Sequence, residues 1–290
     1  MYLGIDHGTT AMRFATETGA FKLSRPDACA FELAALEQLG SIGSIEGCAL
    51  TYSMGDGIGA VTSIECVRNR GVVSREGAGE HIGGGTRVFD AIAASDIPTV
   101  VIPGLHRGSP TDPRFKAYSH QSSPEKLGIA YLAVHEHGPD VVVADISSNT
   151  VSLLVRDGRV VGAFDACVFA PGLRHGALDV DAIRRIDLGE ETANQAFLHA
   201  GVEYTIPEPE RLATIAMFAA MECASLLMLA PDATVVLAGS LAPRVADEVA
   251  GLLDRPVAVG DEWAAARGLV RIARDVFGGA DEILGIPVDR

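Results

Sequence analysis

The chain has 290 residues, 48% of them hydrophobic, and a formal charge of −15. That length and apolar content suffice for the cores of two domains, and the acidic balance excludes a nucleic-acid binder, which needs a basic face against the phosphate backbone. No basic, apolar leader pattern opens the sequence, so a cytoplasmic protein is expected.

In chain order, residues 2–24 predict three strands, the first ending on Asp6 before the turn HGTT. A helix over 30–39, a strand over 47–52, a Gly-rich stretch over 77–86, a helix over 87–94 and a buried strand over 98–102 follow. Residues 104–114, rich in Gly and Pro, read as a loop. A helix over 123–136 ends where His135 and His137 flank Glu136; i and i+2 do not share a helix face, so this reads as a solvated helix end and not a metal site. Three more strands over 141–164 are followed by helices near 189–200 and 209–230, a strand over 233–239, a helix beyond Pro243, a short strand over 256–259 and a last helix over 262–276. Residues 212–230 are the most apolar, but Glu222 lies among them, which predicts a buried core helix and no membrane span. Five cysteines, without a CxxC pair, read as reduced, mostly packed thiols. The alternation predicts helix-covered sheets in both halves, divided near Tyr118 into lobes 1–118 and 119–277, with 278–290 free to return to the first.

Two stretches are copies of one device. YLGIDHGTTAMRFATETG and VVVADISSNTVSLLVRDG align at an offset of 139, which matches Asp6 with Asp145 and Gly19 with Gly158. One copy alone is an ordinary meander. Two in one register, each with an acid at the strand end and hydroxyl residues beyond it, predict facing domains that offer turn amides and hydroxyls to phosphates and a carboxylate to their metal. Asp6 and Asp145 are therefore the expected Mg²⁺ ligands, through water. Gly8, Thr9 and Thr10, with Ser147, Ser148 and Asn149, are expected at the phosphates. As turn or cap residues, the same positions would be architecture without a ligand. Gly239 and Ser240 end the strand TVVLAG, where a larger side chain would block an adenine or ribose. A P-loop is excluded, since none of the three lysines stands in a GK[ST] signature.

DVVVADISSNTVSLLVRDGRVVGAF, CVFAPGLRHGALDVDAIRRID and ATVVLAGSLAPR resemble the phosphate, arginine and adenosine segments of the acetate and butyrate kinases, members of the acetokinase, sugar kinase, Hsp70 and actin superfamily. RFKAYSHQSSPEKLGIAYL resembles their histidine segment, with His120 at the histidine. As a whole the chain is most similar to the methanogenesis marker protein 12 family of methanogenic archaea, which is defined by occurrence and not by a demonstrated activity. The resemblance implies an α/β fold of duplicated ribonuclease-H-like (actin-like ATPase) domains, with mixed sheets flanked by helices and a nucleotide cleft between lobes. It implies ATP and Mg²⁺ as cofactors, Arg174 as the clamp on the transferring phosphoryl group beside Asp145 and Asp6, and His120 as a phosphate contact.

Three departures stand out. The strand before the histidine loop runs into Ile102, Pro103 and Gly104 where the kinases carry an acid. ALTYSMGDG lacks their first-domain arginine, with Asp56, His106 and Arg107 as nearby stand-ins. Ala238-Gly239-Ser240 replaces two glycines. The function implied is phosphoryl transfer to a small carboxylate or other acceptor, or ATP hydrolysis, in connection with methanogenesis. The alternatives are a non-catalytic or very slow ATP-responsive assembly or regulatory protein, working as a homodimer or with a protein partner, and a degenerate scaffold that binds no nucleotide.

Overall fold

Strand alternation at the N-terminus produces an antiparallel meander: β1 (Tyr2–His7), β2 (Ala11–Ala15) and β3 (Ala20–Ser24). In the computed structural model, which describes residues 1–52, 55–73 and 83–289, the chain divides into two units. The first comprises Met1–Glu136, Gly158–Val160 and Trp263–Arg290; the second comprises His137–Asp157 and Val161–Glu262.

The first unit continues with β4 (Gly47–Leu50), β5 (Val61–Ser63), α1 (Gly84–Ala93), β6 (Thr99–Val101), β7 (Leu105–His106), β8 (His120–Ser122) and α2 (Glu125–His137). β4 runs parallel to β1, and β6 parallel to β4. The helix expected over 30–39 is two 3-10 turns, Asp27–Ala30 and Leu33–Leu39. Leu36 and Leu39 stand three apart, so a 3-10 turn aligns both on the core. Phe14 stacks between Phe21 at 4.7 Å and Phe31 at 5.3 Å, which joins β2 to β3 and to these turns. The expected Gly-rich stretch over 77–86 lies outside the described residues except for 83–86.

The second unit repeats the plan. β9 (Val141–Ile146), β10 (Thr150–Arg156) and β11 (Arg159–Phe164) begin at residues 141, 150 and 159, each 139 beyond the starts of β1, β2 and β3 at 2, 11 and 20. α3 (Val180–Asp187), α4 (Ala193–Leu198), α5 (Val202–Thr205) and α6 (Arg211–Leu227) precede β12 (Thr234–Ala238), α7 (Ala242–Leu253) and β13 (Val257–Val259). β12 is parallel to both β9 and β13, so the order β11-β10-β9-β12-β13 copies β3-β2-β1-β4-β6. The helix expected near 189–200 is the shorter α4, and α3 before it was not expected. Gly189 adopts φ +72° after α3, and Thr192 starts α4 afresh with a capping box to Gln195.

The repeat differs in one respect. Asp6 lies opposite Arg13, whereas Asp145 lies opposite Val151, the counterpart of Met12. The two hairpins are thus one residue apart in register, which changes the side chain presented to each acid.

The last segment returns to the first unit from further back than expected. α8 (Ala264–Phe277) lies on β1 and β4, where a Cβ on Gly4 would come within 2.1 Å of the Ala266 carbonyl oxygen and one on Gly47 within 2.1 Å of the Phe277 ring. α2 crosses α8 glycine on glycine, because a Cβ on Gly268 would meet the Gly128 carbonyl oxygen at 1.8 Å. Residues 119–136 and 263–277 therefore belong to the first unit, and the division expected near Tyr118 falls inside it. β14 (Glu282–Ile283) and β15 (Ile286–Asp289) then extend the first sheet beside β5. Gly268→Ala is expected to destabilise the fold by about 1–3 kcal/mol through overpacking; an unchanged denaturation midpoint would contradict this crossing.

α6 is buried on one face only. Ile215, Ala219, Glu222, Cys223 and Leu226 face the unit's interior, while Met217 and Met221 are exposed, as is Met228 just beyond the helix. The expected core helix is thus present, packed by one face. No helix among the described residues is long and apolar enough to cross a membrane. The thiols also differ from expectation: Cys48 and Cys223 are buried, but Cys29, Cys66 and Cys167 are exposed, each in or beside a loop or 3-10 turn where packing is thin.

The Glu222 carboxyl is fully buried, and its Oε1 accepts the Ala170 backbone N–H at 3.2 Å. Burial pushes its pKa up to about 8, so it is mainly neutral at pH 7. Because the folded pKa lies above the unfolded one, its stabilising contribution is complete below pH 4.5 and is lost as pH rises through 8. The melting temperature should fall more steeply between pH 5 and 9 in the native chain than in Glu222→Gln. Parallel curves would show that Glu222 is ionised throughout.

Candidate functional site

In open α/β sheets, ligands gather outside the carboxyl ends of the parallel strands. In the second unit these are the ends of β9, β12 and β13. Asp145, the penultimate residue of β9, is 7% exposed and is paired in register with Ala238 of β12. The next residue, Gly239, has φ +91°, and a Cβ there would lie 2.2 Å from Asp145 Oδ1 and 2.5 Å from the Ile146 carbonyl oxygen. Only glycine permits both this backbone and this approach. Ser240 follows on the surface.

The turn after β9 is locked from two sides. Ser147 N–H donates to the Asn149 carbonyl at 2.8 Å, and Arg174 and His175 N–H groups both donate to the Ser148 carbonyl at 2.9 Å. Gly172 packs so closely that a Cβ would meet the Asn149 backbone at 2.3 Å. Arg174 is held in turn by Gly201, whose N–H donates to the Arg174 carbonyl at 2.8 Å. The backbone of the expected arginine is thus fixed beside the expected phosphate turn. Its side chain is half-exposed and pairs with Glu203 at 3.3 Å, an ion pair weak enough in solvent to yield to a more highly charged anion. Asp145, Ser147, Ser148, Asn149, Arg174, Gly239 and Ser240 all lie at this edge.

In the first unit the carboxyl ends of β1, β4 and β6 collect a different set. Asp6, 3% exposed, is paired with Arg13 at 3.3 Å across the hairpin. Gly8 sits against both, where a Cβ would meet Arg13 Nη1 at 2.6 Å, and Thr9 and Thr10 are exposed on the turn. Arg13 already gives the Asp6 carboxylate a counter-charge, a neighbour the duplication did not announce.

His7 was not anticipated. Its backbone N–H donates to Thr51 Oγ1 at 2.9 Å, and its Nε2 accepts from Arg25 Nη1 at 2.7 Å. Burial first, and Arg25 second, lower its pKa to about 3, so the imidazole stays neutral with its proton on Nδ1. A Cβ on Gly85, in the first turn of α1, would clash with that Nε2 at 1.7 Å, so one glycine of the Gly-rich run exists to admit this ring. That glycine run was the only signal in the sequence.

His120 belongs to the first unit. Its Nδ1 lies 3.6 Å from Asp56 Oδ2, an ion-pair distance. Of the three stand-ins, Asp56 and His106 approach His120, while Arg107 is tied to the carbonyls of Lys116 and Ala117. Among the described residues no group of three or more His, Cys, Asp or Glu side chains is arranged to hold a metal ion.

No family model matches the chain. A UPF0285 protein of Methanosarcina acetivorans is 48% identical over 321 aligned residues, covering 99% of each chain. The chain belongs to the UPF0285 family. Further members from Methanococcus aeolicus and Methanothermobacter thermautotrophicus are 42% and 41% identical over 99% and 100% of this chain and 99% and 98% of their own, so the family has representatives in several methanogens. Among solved structures, a ROK family protein from Streptococcus pneumoniae in complex with sucrose superposes with a TM-score of 0.52 at 12% identity, over 96% of this chain and 99% of its own. The activator of 2-hydroxyisocaproyl-CoA dehydratase from Clostridium difficile with bound ADPNP gives 0.51 at 15%, over 96% and 95%. A ROK family glucokinase from Streptomyces griseus in complex with glucose and AMPPNP gives 0.51 at 12%, over 94% and 99%. These likenesses establish the actin-like ATPase fold of the UPF0285 chain, as the duplicated hairpins require.

Proposed function

We propose that this UPF0285 protein binds Mg-ATP and performs phosphoryl transfer or ATP hydrolysis. The observation that carries the reading is the approach of Gly239 to Asp145 beside the Ser147–Asn149 turn: a carboxylate, turn hydroxyls and an obligatory glycine meet at the carboxyl edge of the second sheet. Two structures of the same fold that carry ADPNP and AMPPNP support it, as does the motif likeness to acetate and butyrate kinases. Ser147, Ser148 and Asn149 would receive the phosphates, Gly239 and Ser240 the adenosine, and Asp145 would hold Mg²⁺ through water, where the ion offsets phosphate charge. On the first unit, Gly8, Thr9 and Thr10 with Asp6 form the corresponding candidate phosphate turn and carboxylate. Arg174 would exchange Glu203 for the transferring phosphoryl group. Methanogen sources of the relatives support a role connected with methanogenesis.

The test is a thermal-shift screen over nucleotides, then phosphate-release assays with carboxylates, alcohols and water. Asp145→Asn should retain the fold and lose the Mg²⁺ dependence of ATP binding, because Asn keeps the shape but not the charge; an unaltered Mg²⁺ dependence would remove Asp145 from the metal. One observation favours a second reading: Ile102, Pro103 and Gly104 stand where the similar kinases carry an acid. An ATP-responsive assembly or regulatory protein would bind Mg-ATP, change in compactness and release no phosphate.

A further inference from the structure

α6 turns a different chemistry to each of its sides. The inner side is built from Ile215, Ala219, Cys223 and Leu226, while Met217, Met221 and, just past the last turn, Met228 stand 43%, 47% and 81% exposed. These positions run i, i+4 and i+11, with exposed Ala224 at i+7, and so form one stripe along the helix. The chain has six methionines, and three of them lie here. Phe169, 39% exposed, borders the stripe through its edge-to-face contact with Phe218 at 5.4 Å. A single exposed apolar side chain is ordinary, but a continuous row marks a contact surface. Methionine suits such a surface, because its unbranched, polarisable side chain adapts to the shape laid against it.

The charge beside the stripe decides what can cover it. Glu208 and Glu210 are exposed in the turn before α6, Asp232 is exposed beyond Met228, and Asp247 and Glu248 are exposed on α7, which packs along α6. Arg244 is an exposed base of α7, while Arg211 is turned onto the carbonyls of Ile206 and Glu203. A second copy would bring the same acids against each other, since a twofold interface pairs a surface with itself. An anionic lipid surface would meet the same repulsion. A basic partner gains from these charges instead. We propose that the outer face of α6 docks a basic amphipathic helix of another protein. The apolar side of that helix covers Met217, Met221 and Met228, and its lysines and arginines face the acidic flanks. Recognition of this kind is read through anchors spaced by whole helical turns, as the methionines are. It is independent of the nucleotide reading above.

The test is carbon-13 methyl NMR of the full chain labelled at methionine, with Met12, buried in β2, as the internal reference. The probe is a synthetic helical peptide of about 18 residues, with leucine on one face and lysine on the other. It should shift the methyl signals of Met217, Met221 and Met228, leave Met12 in place, and bind several-fold more weakly when salt rises from about 0.05 M to about 0.5 M. A peptide of the same composition scrambled out of helical register, and a helical leucine–glutamate peptide, should each bind about tenfold more weakly or worse. Met217→Ser combined with Met221→Ser alters two exposed positions, so circular dichroism should stay native while the lysine peptide loses about tenfold or more in affinity. Asp247→Asn with Glu248→Gln should cost it several-fold. Absence of a shift at the three methionines, equal affinity for the scrambled or glutamate peptide, or native affinity in the double serine variant would each overturn the proposal. So would movement of the three signals on concentrating the chain alone, with a doubled mass in sedimentation, which would make the occupant a second copy. Movement on adding anionic vesicles would overturn it in favour of a lipid surface.

Discussion

Gly239→Ala should weaken Mg-ATP binding about 10–100-fold, since displacing a liganding group forfeits about 1–3 kcal/mol of paired polar contact. Two independent effects act at this position. A methyl group would sit 2.2 Å from Asp145 Oδ1, so the carboxylate or β12 must move, and φ +91° disfavours any residue with a Cβ. Both strain the same few atoms at the ends of β9 and β12. The substitution lies at a strand end, so circular dichroism should remain native while calorimetry registers the lost affinity. Retained affinity with a native spectrum would place the nucleotide elsewhere.

Arg174→Ala separates binding from chemistry. In the structure the guanidinium is half-exposed and held by Glu203, while its backbone is anchored at Ser148 and Gly201. Truncation removes the charge and leaves that anchoring in place. If the side chain neutralises charge that develops in the transition state, turnover should drop about 10²–10³-fold with little change in ATP affinity. Equal losses in both would make it a ground-state ligand, and no loss in either would make it a surface arginine.

The architecture was legible because both of its signals are local. Alternation marks each strand, and an acid before a run of small hydroxyl residues marks each turn, so the offset of 139 carried from letters to strand starts without change. The one-residue difference in register was not legible, because pairing depends on how the turn closes; it is what brings Arg13 to Asp6. Nor was the return of α8 and α2 to the first sheet. Their seats are Gly4, Gly47, Gly128 and Gly268, single glycines whose role exists only once two elements meet. At the site, Asp145, Gly239 and the Ser147–Asn149 turn lay within recognisable segments. Asp56 and His120, far apart in sequence, are brought together by loop contacts at Gly55 and Gly104 that no periodicity reveals. Glu222 stood out within an apolar helix, but its neutrality follows only from its burial against Ala170 and Ser152.

Calorimetric titration of the native chain with ATP at saturating Mg²⁺, repeated in excess chelator, tests whether the chain binds Mg-ATP. Saturable binding that weakens markedly without the metal is expected, with a matching stabilisation of about 2.7 kcal/mol when ATP reaches about 100 times its Kd. No heat and no shift in melting temperature at millimolar Mg-ATP would contradict it.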